Sequence, residues 1–261
     1  MHALQASVWL LIGLALSGCK SGSYFPLDEH RVREYVVTVK PRTPDGEEEK
    51  PQRGQASLTT LPRRMLGGIE VTPEVVQVGN RFAYSFYVED EIGVRLVARQ
   101  GFQESEPEVL EERADMLRYP LERGKRWKDF QETNFTSPAI EIEGETVVAG
   151  ENETVKVPAG TFSGCKKLVF KGTASVEVDI GAATGGQAYD LPEGESDGDG
   201  FGASDRAEEA VDTEEVEFEL ESESWFAPGV GLIKFVQKEW ASSKRVADGT
   251  VMYELQSDKK M

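Results

Sequence analysis

This 261-residue chain holds few of the side chains that commonly carry chemistry: two histidines, His2 and His30, and two cysteines, Cys19 and Cys165, against 47 Asp and Glu. His2 precedes an apolar run that reads as a removable leader, so His30 is the one imidazole left for proton transfer or metal binding. A His-dependent triad or a multi-His metal site therefore has almost nothing to be built from. No nucleophile elbow, phosphate loop or dinucleotide fingerprint occurs. Paired carboxylates abound, but acidic residues fill 47 of 261 positions, so a solvated face explains their adjacency better than a glycosidase pair does. Asp197, Asp199 and Asp205 offer hard oxygen ligands for Ca²⁺, yet they lack the central Gly and the twelfth-position Glu of an EF-hand loop. A diffuse counterion cloud is the expectation there. The sequence predicts no catalytic residue, no metal and no cofactor.

The two cysteines stand in different settings. Cys165, with Phe162 on one side and Leu168, Val169 and Phe170 on the other, reads as a buried small hydrophobe rather than a reactive thiol. Cys19 closes the tetrapeptide Leu16, Ser17, Gly18, Cys19, directly after the apolar run Val8 to Leu16. That run is too short for a hydrocarbon core of ~30 Å, which takes ~20 helical residues, and it fits the apolar region of an export signal. No Lys or Arg precedes it. The tetrapeptide is similar to the bacterial lipobox, in which small residues let a peptidase cut before a cysteine that has received a diacylglycerol. The expectation is removal of residues 1–18, lipidation of Cys19, and a short polar tether over residues 19–23. Each buried methylene contributes about 0.8 kcal/mol, so two or three acyl chains hold stably where one holds marginally. Lys20 follows the cysteine where similar Gram-negative lipoproteins carry Asp for inner-membrane retention, which favours the outer membrane. With Cys19 acylated, Cys165 is left without a disulfide partner.

The elements that would carry any site are strands. Apolar and polar residues alternate at Tyr35, Val37 and Val39, at Phe82, Tyr84, Phe86 and Val88, and at Val94, Leu96 and Ala98. The same period recurs at Ile140 and Ile142, at Val176, Val178 and Ile180, at Val216, Phe218 and Leu220, at Ile233 and Phe235, and at Val251, Tyr253 and Leu255. Glu at every second residue cannot be buried unpaired, so these sheets are wet on one side. The fold class predicted is mainly β, with antiparallel curled sheet or sheets forming a half-barrel or sandwich and little helix. One short helix is expected over Glu108 to Leu117, where Val109, Leu110, Ala114 and Leu117 fall at helical spacing ahead of Pro120. Pro41 to Gln55 reads as a long loop, and the acidic, Gly-rich stretch 182–212 as a disordered excursion between strands.

Two copies of a short pattern suggest an internal duplication: Tyr24, Phe25, Pro26, Leu27, and then Tyr119, Pro120, Leu121 with Gly124 and Trp127. In the first copy His30 and Arg33 stand where the pattern has Gly and Trp. The domain reading is one β domain, 24–261, in halves 24–118 and 119–261. Together with Val155 to Phe162, Cys165 and Lys167, and with Trp225 to Lys234, these segments resemble a group of uncharacterised bacterial exported proteins and lipoproteins. Their repeats run roughly YFPLxxGxxW, VPAGTFxxCxK and W[FY]APGVGL[IV]K. The resemblance covers Tyr119 to Lys238 firmly and Tyr24 to Val39 loosely, and it supplies no catalytic residues. VPAGTF reads as a tight turn with an aromatic plug, and Pro228, Gly229 and Gly231 as a sharp bend after Trp225 and Phe226. Trp127, Trp225, Phe226 and Trp240 fit two roles, core packing or the lining of a ligand pocket, with packing the heavier. His30 beside Arg31 reads as surface decoration.

A net charge of −18 argues against nucleic-acid and anionic-headgroup partners. What is expected is a cell-envelope module, held to a membrane through a lipid on Cys19, that binds an apolar ligand, lipid or envelope protein and catalyses nothing. The alternative is a structural or assembly lipoprotein without a small ligand. Periplasmic lipoprotein-handling half-barrels offer an analogy of fold only.

Overall fold

A computed structural model of the chain describes residues 23–27, 30–42, 49–79, 81–101, 104–180 and 213–260. Cys19, the expected signal segment and the acidic stretch 182–212 with its three aspartates lie outside them. The described residues are built almost wholly into thirteen strands. They are β1 (Arg31–Arg42), β2 (Gln52–Thr60), β3 (Arg64–Leu66), β4 (Ile69–Val78), β5 (Arg81–Glu89), β6 (Gly93–Gln100) and β7 (Glu108–Arg118), followed by β8 (Arg126–Glu132), β9 (Glu141–Val157), β10 (Gly160–Asp179), β11 (Thr213–Ala227), β12 (Gly231–Ala241) and β13 (Asp248–Lys260).

All pairings are antiparallel, and the order is β7-β6-β5-β4-β2-β1-β13-β12-β11-β10-β9-β8, with β3 set beside β4. Each half of the chain is thus a meander of neighbouring hairpins. Among the described residues one long-range strand pairing, β1 with β13, joins the two halves, from Arg31 opposite Lys260 to Arg42 opposite Asp248. Traced in a circle, the path is an up-and-down meander that lacks a single rung, between β7 and β8. The sheet curls until those strands approach. There Trp127 Nε1 on β8 donates to the Asp115 carbonyl on β7 at 2.9 Å. Arg99 on β6 bonds Glu132 and lies over the Phe130 ring at 5.1 Å. The fold is a curled antiparallel sheet left open at one seam, as the alternation pattern predicts. The division drawn at residues 118 and 119 falls in the connection across that seam.

Burial follows the period-2 pattern where the sequence shows it. In β11, Val216, Phe218 and Leu220 are buried between exposed glutamates. They pack with Ile142, Phe170, Val178 and Ile180 at one end of the long β9-β10-β11 hairpins. At the other end a cluster spans the seam, combining Val94, Leu96, Ala114 and Leu117 with Trp127, Val148, Leu168 and Phe226. Phe25, Leu27 and Leu121 from the two YFPL-like segments join it.

Two expectations are corrected. Glu108 to Leu117 forms no helix; it is strand β7, paired with β6. Leu117 pairs with Val94 and Asp115 with Arg95, so Met116 is an extra residue, a bulge. That bulge lets Ala114 and Leu117, three apart, face the same core, and so imitates a helical repeat. Pro41 to Gln55 is not one long loop either, because β1 runs to Arg42 and β2 begins at Gln52. Gln52 to Gln55 carry no apolar alternation. They are extended because β1 offers backbone partners, Val39 to Val36.

The VPAGTF segment is a hairpin tip as expected, with Val157 opposite Gly160 around Pro158 and Ala159. It also fills a split in the sheet. β12 pairs with β13 only as far as Lys234 opposite Glu254, and beyond that point Ala159 N donates to the Leu255 carbonyl at 2.9 Å. Elsewhere Gly144 and Gly172 face each other across β9 and β10, where the Phe170 ring covers both. A Cβ at residue 172 would lie 2.5 Å from the Glu143 carbonyl oxygen and 2.9 Å from the Phe170 ring. Gly172→Ala should therefore destabilise the fold by about 1–3 kcal/mol through overpacking, seen as a lower urea midpoint; an unchanged midpoint would contradict this close approach.

Candidate functional site

The segment 23–27 lies across one end of the body and is held there by backbone and side-chain bonds together. Gly229 N, in the turn between β11 and β12, donates to the Ser23 carbonyl at 2.8 Å, and the Ser23 hydroxyl donates to Glu89 at 3.2 Å. Tyr24 OH donates to the Gly164 carbonyl at 3.1 Å, with Lys166 over its ring. The APGVGL glycines have a reason to be glycine at this place. Gly231 has φ +93°, and a Cβ there would meet Arg33 Nη1 at 2.6 Å and Pro26 at 3.2 Å. The bend of the third motif is thus fitted against the first.

Behind this plug lies a set of buried charges. Arg33 and Glu74, each 1% exposed, form an ion pair between β1 and β4, and Thr60 adds a hydroxyl to Glu74 at 3.3 Å. Burial opposes the charge on Arg33 most strongly. Glu74, followed by Tyr35, Tyr87 and Asp258, outweighs it and holds the guanidinium above its ordinary pKa. Arg33 Nε finds no partner among the described residues. The Tyr35 and Tyr87 phenols beside it are pushed up, chiefly by burial. Arg31 is buried as well. It grips Asp258 on β13 with bonds of 2.7 and 2.5 Å and donates to the Gly229 carbonyl at 2.7 Å. His30 is exposed, as expected, but Arg31 is no surface decoration.

Two further carboxylates are set in poor solvent. Glu239 on β12 accepts from Asn134 N at 2.6 Å, Asn134 Nδ2 at 2.8 Å and Gln237 Nε2 at 2.8 Å, which docks the 133–138 loop. Burial raises its pKa against the pull of these bonds. Asp129 on β8, at the seam, is pushed up to about 6, first by burial and also by Asp115 across the seam. Thr146 Oγ1 and Phe130 N donate to it at 2.8 and 2.9 Å.

The four aromatics named from the sequence separate. Trp127 and Phe226 pack in the seam-spanning cluster. Trp225 packs near Tyr35, Cys165 and Leu255, donates Nε1 to Glu153 at 2.8 Å, and has Lys167 over its ring at 4.9 Å. Trp240 stands opposite Glu219 in the β11-β12 pair and is half-buried. Of two grooves on the body, neither is lined by any of the four. One, of about 640 Å³, runs over Glu34, Arg53, Gln55, Ser57, Gln77 and Gln256; it lies where β4 stops short of the first residues of β2. The other, of about 310 Å³, sits at the plugged end between Ser23, Leu27, Arg63, Glu89, Gly229 and Lys260. Cys165 is fully buried, and burial raises its thiol pKa, the setting of an unreactive cysteine. The buried charges were not legible in the sequence. The one hint was Arg33 standing where the repeat pattern has Trp.

No family model matches the chain, and neither does any curated protein. Two solved structures align with it. One is described as a lipoprotein from Parabacteroides distasonis, at 12% identity and a TM-score of 0.39. The other is an exported protein with a YmcC-like fold from Bacteroides fragilis, at 12% identity and a TM-score of 0.33. Both alignments cover 92% of this chain and 100% of the other. Likeness at this level transfers no role.

Two outcomes follow from the charges. Glu74→Ala, which strands Arg33 in the core, should cost about 3–5 kcal/mol, whereas Arg33→Met with Glu74→Leu should come close to neutral; denaturant unfolding of the two variants checks this, and equal losses would contradict it. For Asp129 the folded-state pKa is raised, so its charged form opposes folding. Its unfavourable contribution is absent below the unfolded value of about 4 and complete above about 6. Asp129→Asn should therefore remove a fall in stability between those pH values and gain roughly 1–2 kcal/mol at pH 7, read as the difference in urea midpoint between pH 4 and pH 7.

Proposed function

We propose that this chain is a cell-envelope lipoprotein, cut before Cys19 and acylated there, whose β body recognises a partner and catalyses nothing. The observation that carries the address is the ending Leu16, Ser17, Gly18, Cys19 directly after an apolar run too short to span a bilayer. The resemblance of the YFPL, VPAGTF and APGVGL segments to exported lipoproteins supports it. So does the body itself, which takes up the chain from Ser23 onward and leaves only a few residues between a lipid and the fold. Lys20 in place of Asp favours the outer membrane.

The partner belongs to one of two classes. An apolar ligand or lipid would need a cavity bounded by aromatics. An envelope protein would need a groove or an open strand edge. Trp127 and Phe226 lie in a packed cluster, while the larger groove is lined by amides and charges beside the start of β2, which pairs with β1 but not with β4. That favours a protein or other polar partner, including a purely structural or assembly role.

Labelling with radioactive palmitate should mark the unmutated protein and leave Cys19→Ser unlabelled and released from membranes. Continued labelling of the variant would refute the anchor. Native mass spectrometry of the mature protein should show no tightly bound lipid beyond the covalent anchor, and a stoichiometric apolar passenger would reinstate the ligand-pocket alternative.

A further inference from the structure

We propose that the end of the body from which the anchor emerges rests on the bilayer, with the tip of the β3-β4 hairpin and the β5-β6 turn dipping into the lipid interface. This inference relies on Cys19 being the acylated residue. Cys19 is four residues from Ser23, a reach of at most ~14 Å for extended chain. Once the acyl chains are inserted, the surface around Ser23 therefore cannot leave the headgroup region. That surface is defined by contacts: Ser23 touches Glu89 at the end of β5 and Gly229 in the β11-β12 turn, and shares a cleft with Arg63 and Lys260.

Large apolar side chains left exposed gather at the same end. Of those among the described residues, Met65 is 65% exposed, Ile69 36% and Ile92 51%. Thr72 pairs with Tyr87, a register that sets Glu70 level with Glu89, so Ile69 and the Gly67-Gly68 turn of the β3-β4 hairpin project beyond Glu89. Ile92 is in the turn that follows Glu89, where its carbonyl accepts from Tyr119 N. Met65 pairs with Glu70 and Leu66 with Ile69, so the hairpin is a thin blade with an apolar residue on each face. Gly67 and Gly68 form its tip, with positive φ and open space around them. The other two exposed hydrophobics, Phe82 and Val109, lie at the opposite end, at the starts of β5 and β7.

Scattered exposed hydrophobes are ordinary. Clustering on adjoining turn tips beside a lipid attachment point is not, and it is the arrangement by which an anchored protein adds interfacial area to its acyl chains. Charge contributes little. Arg63 stands 3.5 Å from Glu70, and Asp90 and Glu91 precede Ile92, so the contact does not need anionic lipid.

The test uses the acylated full chain bearing Met65→Cys, Ile92→Cys or Val109→Cys, each labelled with an environment-sensitive dye. Cys165 is buried and does not compete. In vesicles of phosphatidylethanolamine and phosphatidylcholine with brominated acyl chains, dyes at 65 and 92 should be quenched about twofold, as for groups ~5–10 Å into the interface, and the dye at 109 not at all. Equal behaviour at the three sites, with the mass of the amino-terminal peptide showing an acylated Cys19, would overturn the docking and leave the anchor standing. A peptide mass showing free Cys19 would remove the anchor and the docking together. Shielding of 65 and 92 in native envelopes but not in pure vesicles would mean that a protein covers this end, and would also overturn bilayer contact.

Discussion

Everything in this fold depends on the pairing of its first strand with its last. Every other rung of the sheet joins strands adjacent in sequence or separated only by the short β3, so those contacts form locally. Among the strand pairings the β1-β13 ladder alone closes a loop of more than two hundred residues, the costliest of them in entropy. Its register matters because a slip of one residue would turn Tyr35, Val37 and Val39 outward together. Charges pin it at both ends. Arg31 holds Asp258 with paired bonds, and Arg42 holds Asp248 with bonds of 2.7 and 2.6 Å. Between them Glu34, on the wet face, accepts from Ser257 and Lys259.

The same strand carries the Arg33–Glu74 pair into the core. Two charges out of water are a liability, and a hydrophobic pair of equal volume would serve stability as well or better. What the pair does supply is direction. Arg33 can satisfy its charge only where β4 presents Glu74, and Gly231 can lie against it only if the β11-β12 turn is folded back over Pro26. Strand β1, strand β4, the amino-terminal plug and the third motif are thereby committed to one mutual placement.

A meander of twelve strands on a closed path would enclose more space than side chains can fill, since about eight strands already bound a packed interior. This chain avoids a hollow barrel by leaving the β7-β8 rung open and packing the curled sheet against itself in separate clusters. Openness has a local cost. At the seam, side chains replace the missing ladder: Trp127 donates to a β7 carbonyl, Arg99 reaches Glu132, and Asp129 sits in a setting that raises its pKa. The plugged end, by contrast, is tied by a backbone bond from Gly229 N to the Ser23 carbonyl together with side-chain bonds from Ser23 and Tyr24.

The sequence by itself determined the strand-rich class, the wet and dry faces of strands such as Val216 to Leu220, the hairpin tip at Pro158 and Ala159, and the burial of Cys165. Each of these is a local matter, decided by period-2 alternation or by what Pro and Gly permit. Only the tertiary structure decided the rest. Glu108 to Leu117 looks helical because a bulge at Met116 places Ala114 and Leu117 on one face, and a bulge exists only against a partner strand. Gln52 to Gln55 are extended because β1 is there to receive their hydrogen bonds. Arg31 and Arg33 can be buried because Asp258 and Glu74, 227 and 41 residues away, come to meet them. A charge buried beside a distant partner has the same local sequence as a charge in water, so no pattern along the chain could tell the two apart.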